Sequence, residues 1–478
     1  MRILAIDQGT TSTRAIVYSD DAPPRGAASL RHRQTYPRPG WVEHDPRELL
    51  ENVNRCLEAA GPIDGIGIAN QGESCLAWDA MTLEPLSPVI VWQDRRTAPD
   101  IERLRASGLG RDVTARTGLP LDCYFSASKM AWILRNSDGA KSAHRRDRLR
   151  LGTTDTFFLE CLSKSHATDA TTASRTSLMN LATLSWDPAL CQAFGVPIEL
   201  LAPIVPTSGY FGSYRNIPIR ASVVDQQAAL FGHGCRHKGD GKITFGTGAF
   251  ALTLSGTTPP QTAAAGLVAT VAWWLPPDIQ YALEGSVYDA GAVIEWAMRT
   301  GIMHDPEELR GPFESAAIDG GLVFVPSLSG LGYPEWCRTA SGLWTGMSTA
   351  TTRRDLQKSL AEGIAMQTQR VIAAMNETIG LGTTLSVDGG LSTSDYFLQF
   401  LADVSNQVIR KSGDHELTAL GCALLAGLKP PASAPTESQS HYRPAIDPAT
   451  RASRIDRYNS AIQSAVALST PGSQIPFA

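Results

Sequence analysis

The sequence lacks paired cysteines. Its eight (Cys56, Cys75, Cys123, Cys161, Cys191, Cys235, Cys337, Cys422) are scattered, with no C-x-x-C among them. That excludes a zinc ribbon and a disulfide framework, and it suits thiols kept reduced in a cytoplasm. Long apolar runs are missing too. The longest spans residues 263–275 and ends at Pro276-Pro277, short of the ~20 residues that a membrane-spanning helix needs. Nor is there a basic excess: 42 Lys and Arg against 47 Asp and Glu leave a net charge of -5. That argues against a nucleic-acid partner. The chain enters a strand-like run between Met1 and Asp7 at once, which leaves no room for a signal peptide.

Several cofactor signatures are also absent. Gly241-Lys242 is followed by Ile243 and has no upstream Gly, so there is no Walker A loop. Gly65-Ile66-Gly67 reaches Asn70 where a dinucleotide fingerprint needs its third Gly. His233 and His237 have the spacing of H-E-x-x-H, but Gly234 stands in the Glu position and no third ligand is evident. Both histidines are expected in solvent. The run from His144 to Arg148 reads as a solvated charged face.

What is present is a globular composition, 43% apolar and 19% charged, which excludes wholesale disorder. At ~150 residues per domain the length suggests two to four domains. Arg2 to Asp7 reads as a strand, Gln8 to Thr13 as a polar turn, and Arg14 to Tyr18 as a returning strand. Strands are also expected at Ile63 to Ala69 and Pro88 to Trp92, with a helix over Pro46 to Ala59. The opening theme recurs after Gly234: Lys242 to Phe245, the turn Gly246-Thr247-Gly248, then Phe250 to Leu254. Two Gly-Thr hairpins suggest a duplicated α/β architecture with a cleft between the halves. A long helix is expected from Arg353 to Ile379, capped by Thr352 and closed by Gly380. Lys429 to Pro448 reads as a connector, and Thr450 to Leu468 as a last helix. The expected units are residues 1–234, 235–428 and 429–478, the last a connector and a helix packed on the second unit.

Gly-containing hairpin turns expose backbone N–H groups that suit phosphate oxygens, and hydroxyls and a guanidinium add donors. Asp7-Gln8-Gly9-Thr10-Thr11-Ser12-Thr13-Arg14 offers all of these, and Asp7 suits Mg²⁺ through water. Together with Gly246 to Gly248 and Val387-Asp388-Gly389-Gly390 it makes three strand-end motifs. The trio resembles the actin, hexokinase and Hsp70 superfamily. Further segments are similar to the glycerol kinases of the FGGY carbohydrate kinase family: Pro39 to Pro46, Val91 to Thr97, Tyr124 to Ser126, Asp225 to Gly232, Phe245 to Gly248, Tyr281 to Gly285, Gly330 to Gly332 and Thr418 to Gly421. These matches are collinear from residue 3 to about residue 427.

The resemblance implies two RNase-H-like α/β domains with an interdomain cleft, and ATP-dependent phosphorylation of a polyol with Mg²⁺. It implies that Asp225 is the general base. Phosphates would meet Thr10, Thr11, Ser12 and Arg14 from one half, and Gly246, Thr247 and Gly248 from the other. Gly291, Glu295, Gly389, Gly390 and Ser394 would complete the nucleotide site, and Asp7 would orient Mg²⁺. The acceptor would lie among Gly72, Glu73, Trp92, Tyr124, Asp225, Gln226 and Phe250. A homodimer or homotetramer, a cytoplasmic location and a small-molecule polyol or sugar partner follow the family, with no nucleic acid and no membrane insertion.

Three departures stand out. Asn70-Gln71-Gly72-Glu73 has Gly where glycerol kinases carry Arg, which removes a charge-assisted donor. The expectation is an acceptor longer than glycerol, such as a tetritol; a ketose or sugar acid is the alternative. Glu295 and Ser394 stand where glycerol kinases carry Gln and Asn, and Cys337 and Ser341 depart in a nearby loop. A catalytically silent nucleotide-binding regulator on the same fold is the reading from another class.

Overall fold

Two sheets with one shared strand order organise the computed structural model, which describes residues 1–260, 266–310, 313, 315–335, 337, 339–413, 416–429 and 440–469. In the first sheet, β1 (Arg2–Gln8) pairs antiparallel with β2 (Ser12–Ser19), and β2 pairs antiparallel with β3 (Arg25–Arg31). On its other side β1 runs parallel to β4 (Gly65–Asn70), and β4 parallel to β5 (Ile217–Val224). The second sheet repeats this. There β6 (Gly241–Phe245), β7 (Ala249–Gly256) and β8 (Asp278–Val287) form the antiparallel side, while β9 (Thr384–Gly389) and β10 (Val408–Lys411) continue in parallel from β6. The duplication expected from the Gly-Thr turns is thus an architectural repeat. Val268–Leu275 and His441–Tyr442 extend the second sheet at its edges.

Strand alternation decides which residues reach which layer. Leu4 and Ile6 of β1 pack with Leu49, Val53, Cys56 and Leu57 of helix α1 (Pro46–Ala59), which Asp45 caps by accepting from Arg47 N. Ile3 and Ala5 face the opposite layer. In the second sheet Ile243 and Phe245 face helix α4 (Arg353–Ile379), whose first turn is fixed by the reciprocal Thr352–Asp355 cap. The intervening Lys242 and Thr244 point the other way, towards the first half.

One expectation shrinks. The strand expected at Pro88 to Trp92 is only Val89–Ile90, because Asp94 N bonds back to Val91 O at 2.9 Å and turns the chain. The final helix, α7 (Pro448–Ala467), buries Tyr458, Ala461, Ile462 and Ala465 in the second core. Half of the connector expected at Lys429 to Pro448, residues 430–439, lies outside the described residues.

The halves meet at two helices that start at strand ends: α2 (Asp225–Gly232) after β5, and α6 (Leu417–Leu425) after β10. Although α6 follows a strand of the second sheet, Ala419, Cys422 and Ala423 pack on Ile3, Ala5 and Val223 of the first. The unit expected at 235–428 therefore ends in a helix belonging to the first half's core. The crossing is backbone against backbone. A Cβ on Gly421 would lie 1.8 Å from Ala228 O, and one on Gly232 would lie 2.1 Å from Leu417 O. Gly421→Ala is expected to destabilise by about 3 kcal/mol, as overpacking does, whereas Gly26→Ala, with open space around it, should be near neutral. Denaturant melts of both variants check this.

Candidate active site

The parallel strands of each sheet point their C-terminal ends at the gap between the halves, where open α/β sheets place their ligands. In the first half three adjacent ends carry chemistry: Asp7 and Gln8 on β1, Asn70 leading to Gly72 and Glu73 after β4, and Val224 leading to Asp225 and Gln226 after β5. Buried Asp169 holds the last two in register. It accepts from the Thr171 and Thr172 hydroxyls at 2.9 and 2.8 Å, and those hydroxyls accept from Val224 N at 2.9 Å and Asn70 Nδ2 at 3.1 Å.

Asp225 opens α2 and accepts from Gln226 N at 2.6 Å. Burial, then the neighbouring Asp7 and Glu73 charges, push its pKa up to about 7. Asp7 is lifted to about 6 by burial, against the pull of Arg14. Two buried carboxylates with raised pKa values suit a hard cation. Among the described residues no cluster of three or more His, Cys, Asp or Glu could cage one. Asp7 would suit Mg²⁺ whose remaining ligands are water and a ligand's phosphates.

Both Gly-Thr turns are fixed by backbone bonds. Gly9 N bonds to Ser12 O at 3.0 Å, leaving Thr10, Thr11 and Ser12 at the rim of the gap. Arg14, at the base of the turn, reaches Glu416 at the start of α6 at 3.3 Å. In the second half Gly291 N bonds to Gly246 O at 2.9 Å, and Ala290 N and Ala292 N both bond to Thr247 O at 3.0 Å. This ties the turn to the start of helix α3 (Gly291–Arg299). Gly389 has φ +92, and a Cβ there would meet Phe245 O at 2.2 Å, so the close approach of β9 to β6 depends on its lacking a side chain. Gly248 is buried, while Gly390 and Glu295 are exposed. Ser394 is otherwise engaged. Its hydroxyl donates to Leu309 O at 2.5 Å and caps α5 (Asp395–Ser405), leaving it 3% exposed.

Trp92 and Tyr124, both expected at the acceptor, meet edge to face at 5.5 Å. The Trp92 indole donates to Thr10 Oγ1 at 3.0 Å, so this aromatic pair and the Gly9-Thr10 turn are directly joined. Phe250 projects from β7 on the same sheet face as Lys242 and Glu284. Gly72 has φ +76, and a Cβ there would lie 3.3 Å from Val224 Cγ1. An Arg at this position would be strained in the backbone and crowded by Val224, so no cation enters the pocket from here.

Four residues that matter were not singled out as site residues by the sequence reading. Arg175 is buried between halves: its Nε donates to Glu73 at 2.6 Å, and its Nη1 and Nη2 lie 2.9 and 3.1 Å from the Glu284 carboxylate. Burial opposes the Arg175 charge, but Glu284 and Glu73 outweigh it and raise its pKa. Glu284 lay within a recognised segment, Tyr281 to Gly285, but nothing in spacing pairs it with residue 175. Lys242 is fully buried. His233 corrects the expectation of solvent exposure. It is 6% exposed, with Nδ1 2.7 Å from Ser386 Oγ and Nε2 3.5 Å from Asp388, because it closes α2 directly over β9. His237 is exposed as expected.

Residues 2–232 match the N-terminal domain, and residues 241–429 the C-terminal domain, of the FGGY family of carbohydrate kinases. The chain is 41% identical to the glycerol kinase of Citrifermentans bemidjiense over 89% of this chain and 90% of that one. It is 41% identical to the glycerol kinase of Thermus brockianus over 89% of each. The crystal structure of Plasmodium falciparum glycerol kinase with ADP superposes with a TM-score of 0.90 at 30% identity, covering 97% of this chain and 98% of that one. A Brucella ovis xylulose kinase, at 22% identity, shares the fold with a TM-score of 0.86 over 98% and 99%.

Arg175→Met would leave Glu73 and Glu284 buried without their cation. The expected loss is about 3–5 kcal/mol near pH 8. Burial already raises the Glu73 pKa, and losing the guanidinium raises it further. A carboxylate whose folded pKa exceeds its unfolded value costs stability above that unfolded value, so the penalty should shrink towards pH 5. Urea melts at both pH values check the sign.

Proposed function

The chain belongs to the FGGY family of carbohydrate kinases, and we propose that its acceptor is a small polyol deprotonated by Asp225. It is a phosphotransferase with an alcohol acceptor and ATP as donor. The observation that carries the finer reading is the position of Asp225. It follows β5, two strands over from Asp7, whose charge it feels, and the Trp92–Tyr124 wall is bonded to the Gly9-Thr10 turn through the Trp92 indole.

Phosphoryl transfer asks a protein for alignment and charge stabilisation more than for covalent chemistry. Glu73, Gln226 and the Tyr124 phenol would fix the acceptor's hydroxyls, with Trp92 and Phe250 against its carbons. As the acceptor oxygen bonds to the γ-phosphorus, its proton passes to the Asp225 carboxylate, and the bond to the bridging oxygen breaks to release ADP. Thr10, Thr11, Ser12 and Arg14 would receive the phosphate charge on one side, and the Gly246 to Gly248 turn on the other. Arg14 is half-exposed on Glu416, and exposed ion pairs hold by ~1 kcal/mol or less, so it is free to turn to phosphate. Asp7 would hold Mg²⁺ through water, and the ion would supply positive charge to the terminal phosphates. Gly291, Glu295, Gly389 and Gly390 would border the nucleoside; the Ser394 hydroxyl, already spent, would contribute only its place in the wall.

The acidic floor of Asp7, Glu73 and Asp225 favours a neutral polyol over a sugar acid, whose carboxylate it would repel. The missing cation at Gly72 favours an acceptor longer than glycerol, such as a tetritol. All eight cysteines are free thiols and no described helix is long and apolar enough to cross a membrane, and we place the protein in the cytoplasm.

ADP release measured with glycerol, erythritol, threitol, ribitol and xylulose tests these readings. A tetritol should lead; glycerol as clear best substrate overturns the longer acceptor, and no stimulation by any of them overturns the polyol kinase in favour of a silent regulator. Asp225→Ala should cost ~10²–10⁴-fold in turnover. Because a base works only when deprotonated, kcat/KM should rise with pH through about 7 and fall away below it, and a profile flat from pH 5.5 to 8.5 would exclude Asp225 from that role.

A further inference from the structure

Lys242 is a fully buried ammonium at the boundary of the two halves, and nothing in phosphate or acceptor binding has so far needed it. It sits on β6, in a lateral row with Leu252 and Glu284, on the sheet face turned towards α2. Its Nζ donates to Gln226 Oε1 at 2.5 Å and to Thr244 Oγ1 at 2.9 Å. Among the described residues it forms no ion pair; burial lowers its pKa, and the charges of Asp388, Asp225, Glu284 and Cys235 only partly oppose that. A cation kept in the interior without a carboxylate partner is costly, so a specific contact must justify it.

That contact is with Gln226. An ammonium can only donate, so the Gln226 atom facing Lys242 is its oxygen. The amide nitrogen is thereby turned the other way, and it meets no protein acceptor among the described residues. We propose that Lys242 is a positioning residue of the acceptor site: by holding Gln226 Oε1 it commits the Gln226 Nε2 hydrogens to an acceptor hydroxyl beside Asp225. This rests on the polyol kinase reading. Without Lys242 the amide can rotate, presenting oxygen or nitrogen to the acceptor, and part of the bound population is wrongly matched. Thr244, the second partner, lies on the same strand and fixes Nζ, and β6 leads into the Gly246 turn. The amide that meets the acceptor is therefore referenced to the half that carries the nucleotide turn.

The test compares wild type, Lys242→Met, Gln226→Ala and the double variant on the best acceptor of the panel. Lys242→Met should raise the acceptor KM about tenfold while the ATP KM moves less than twofold, a split that general loosening of the fold would not produce. In the Gln226→Ala background the same substitution should change the acceptor KM less than twofold, since the two act as one unit. An unchanged acceptor KM in Lys242→Met, an equal rise in both KM values, or additive effects in the double variant would each overturn the proposal. If Lys242→Met does not fold, Lys242→Gln keeps a polar side chain in the space and carries the same comparison. A wild type that turns over no polyol or sugar would instead remove the underlying reading, and the proposal with it, and is told apart by that first measurement.

Discussion

Everything in the gap depends on two helices touching through their backbones. Asp225 heads α2 and Glu416 precedes α6, so the direction of each helix sets where a carboxylate meets the opening. The crossing tolerates no side chain at Gly421 or Gly232. It also lets α6, delivered by the second sheet, fill the first half's core between β1 and β5. Neither half therefore owns its interior. Each sheet supplies the strand that launches a helix, and the two helices join the sheets through a backbone-to-backbone contact.

Much of this was legible because it is local. The two turns, the Thr352 cap on α4, the α1 helix and the duplicated hairpins are fixed by residues within a few positions of one another. The polar groups between the sheets were not legible. Lys242 looked like a failed phosphate loop and His233 like a solvent residue, since strand alternation and the α2 crossing bury them only once the second sheet is in place. Arg175 carried no signal either, as its partners Glu73 and Glu284 lie 102 and 109 positions away. Ser394 read as a nucleotide contact because its place in the motif is right, and only its bond to Leu309 O shows the hydroxyl occupied. The strand at Pro88 to Trp92 was overextended because a bonded turn three residues on leaves no signature in the β-prone run itself.

The charge distribution follows the same division. A chain with net charge -5 and a floor of carboxylates handles an anionic donor, so its cations are placed rather than plentiful. Arg14 waits at the rim on a partly exposed partner, while Arg175 and Lys242 are buried in fixed bonds. The exposed one would be free to meet phosphate, whereas the buried two are committed to protein partners.

The Glu73–Arg175–Glu284 bridge joins the halves at one spot. Parting them there would strand a buried charge, at about 3–5 kcal/mol, so any rigid-body opening must rock about that spot as a fulcrum. The gap then opens unequally, least beside Glu73 and most on the side away from it.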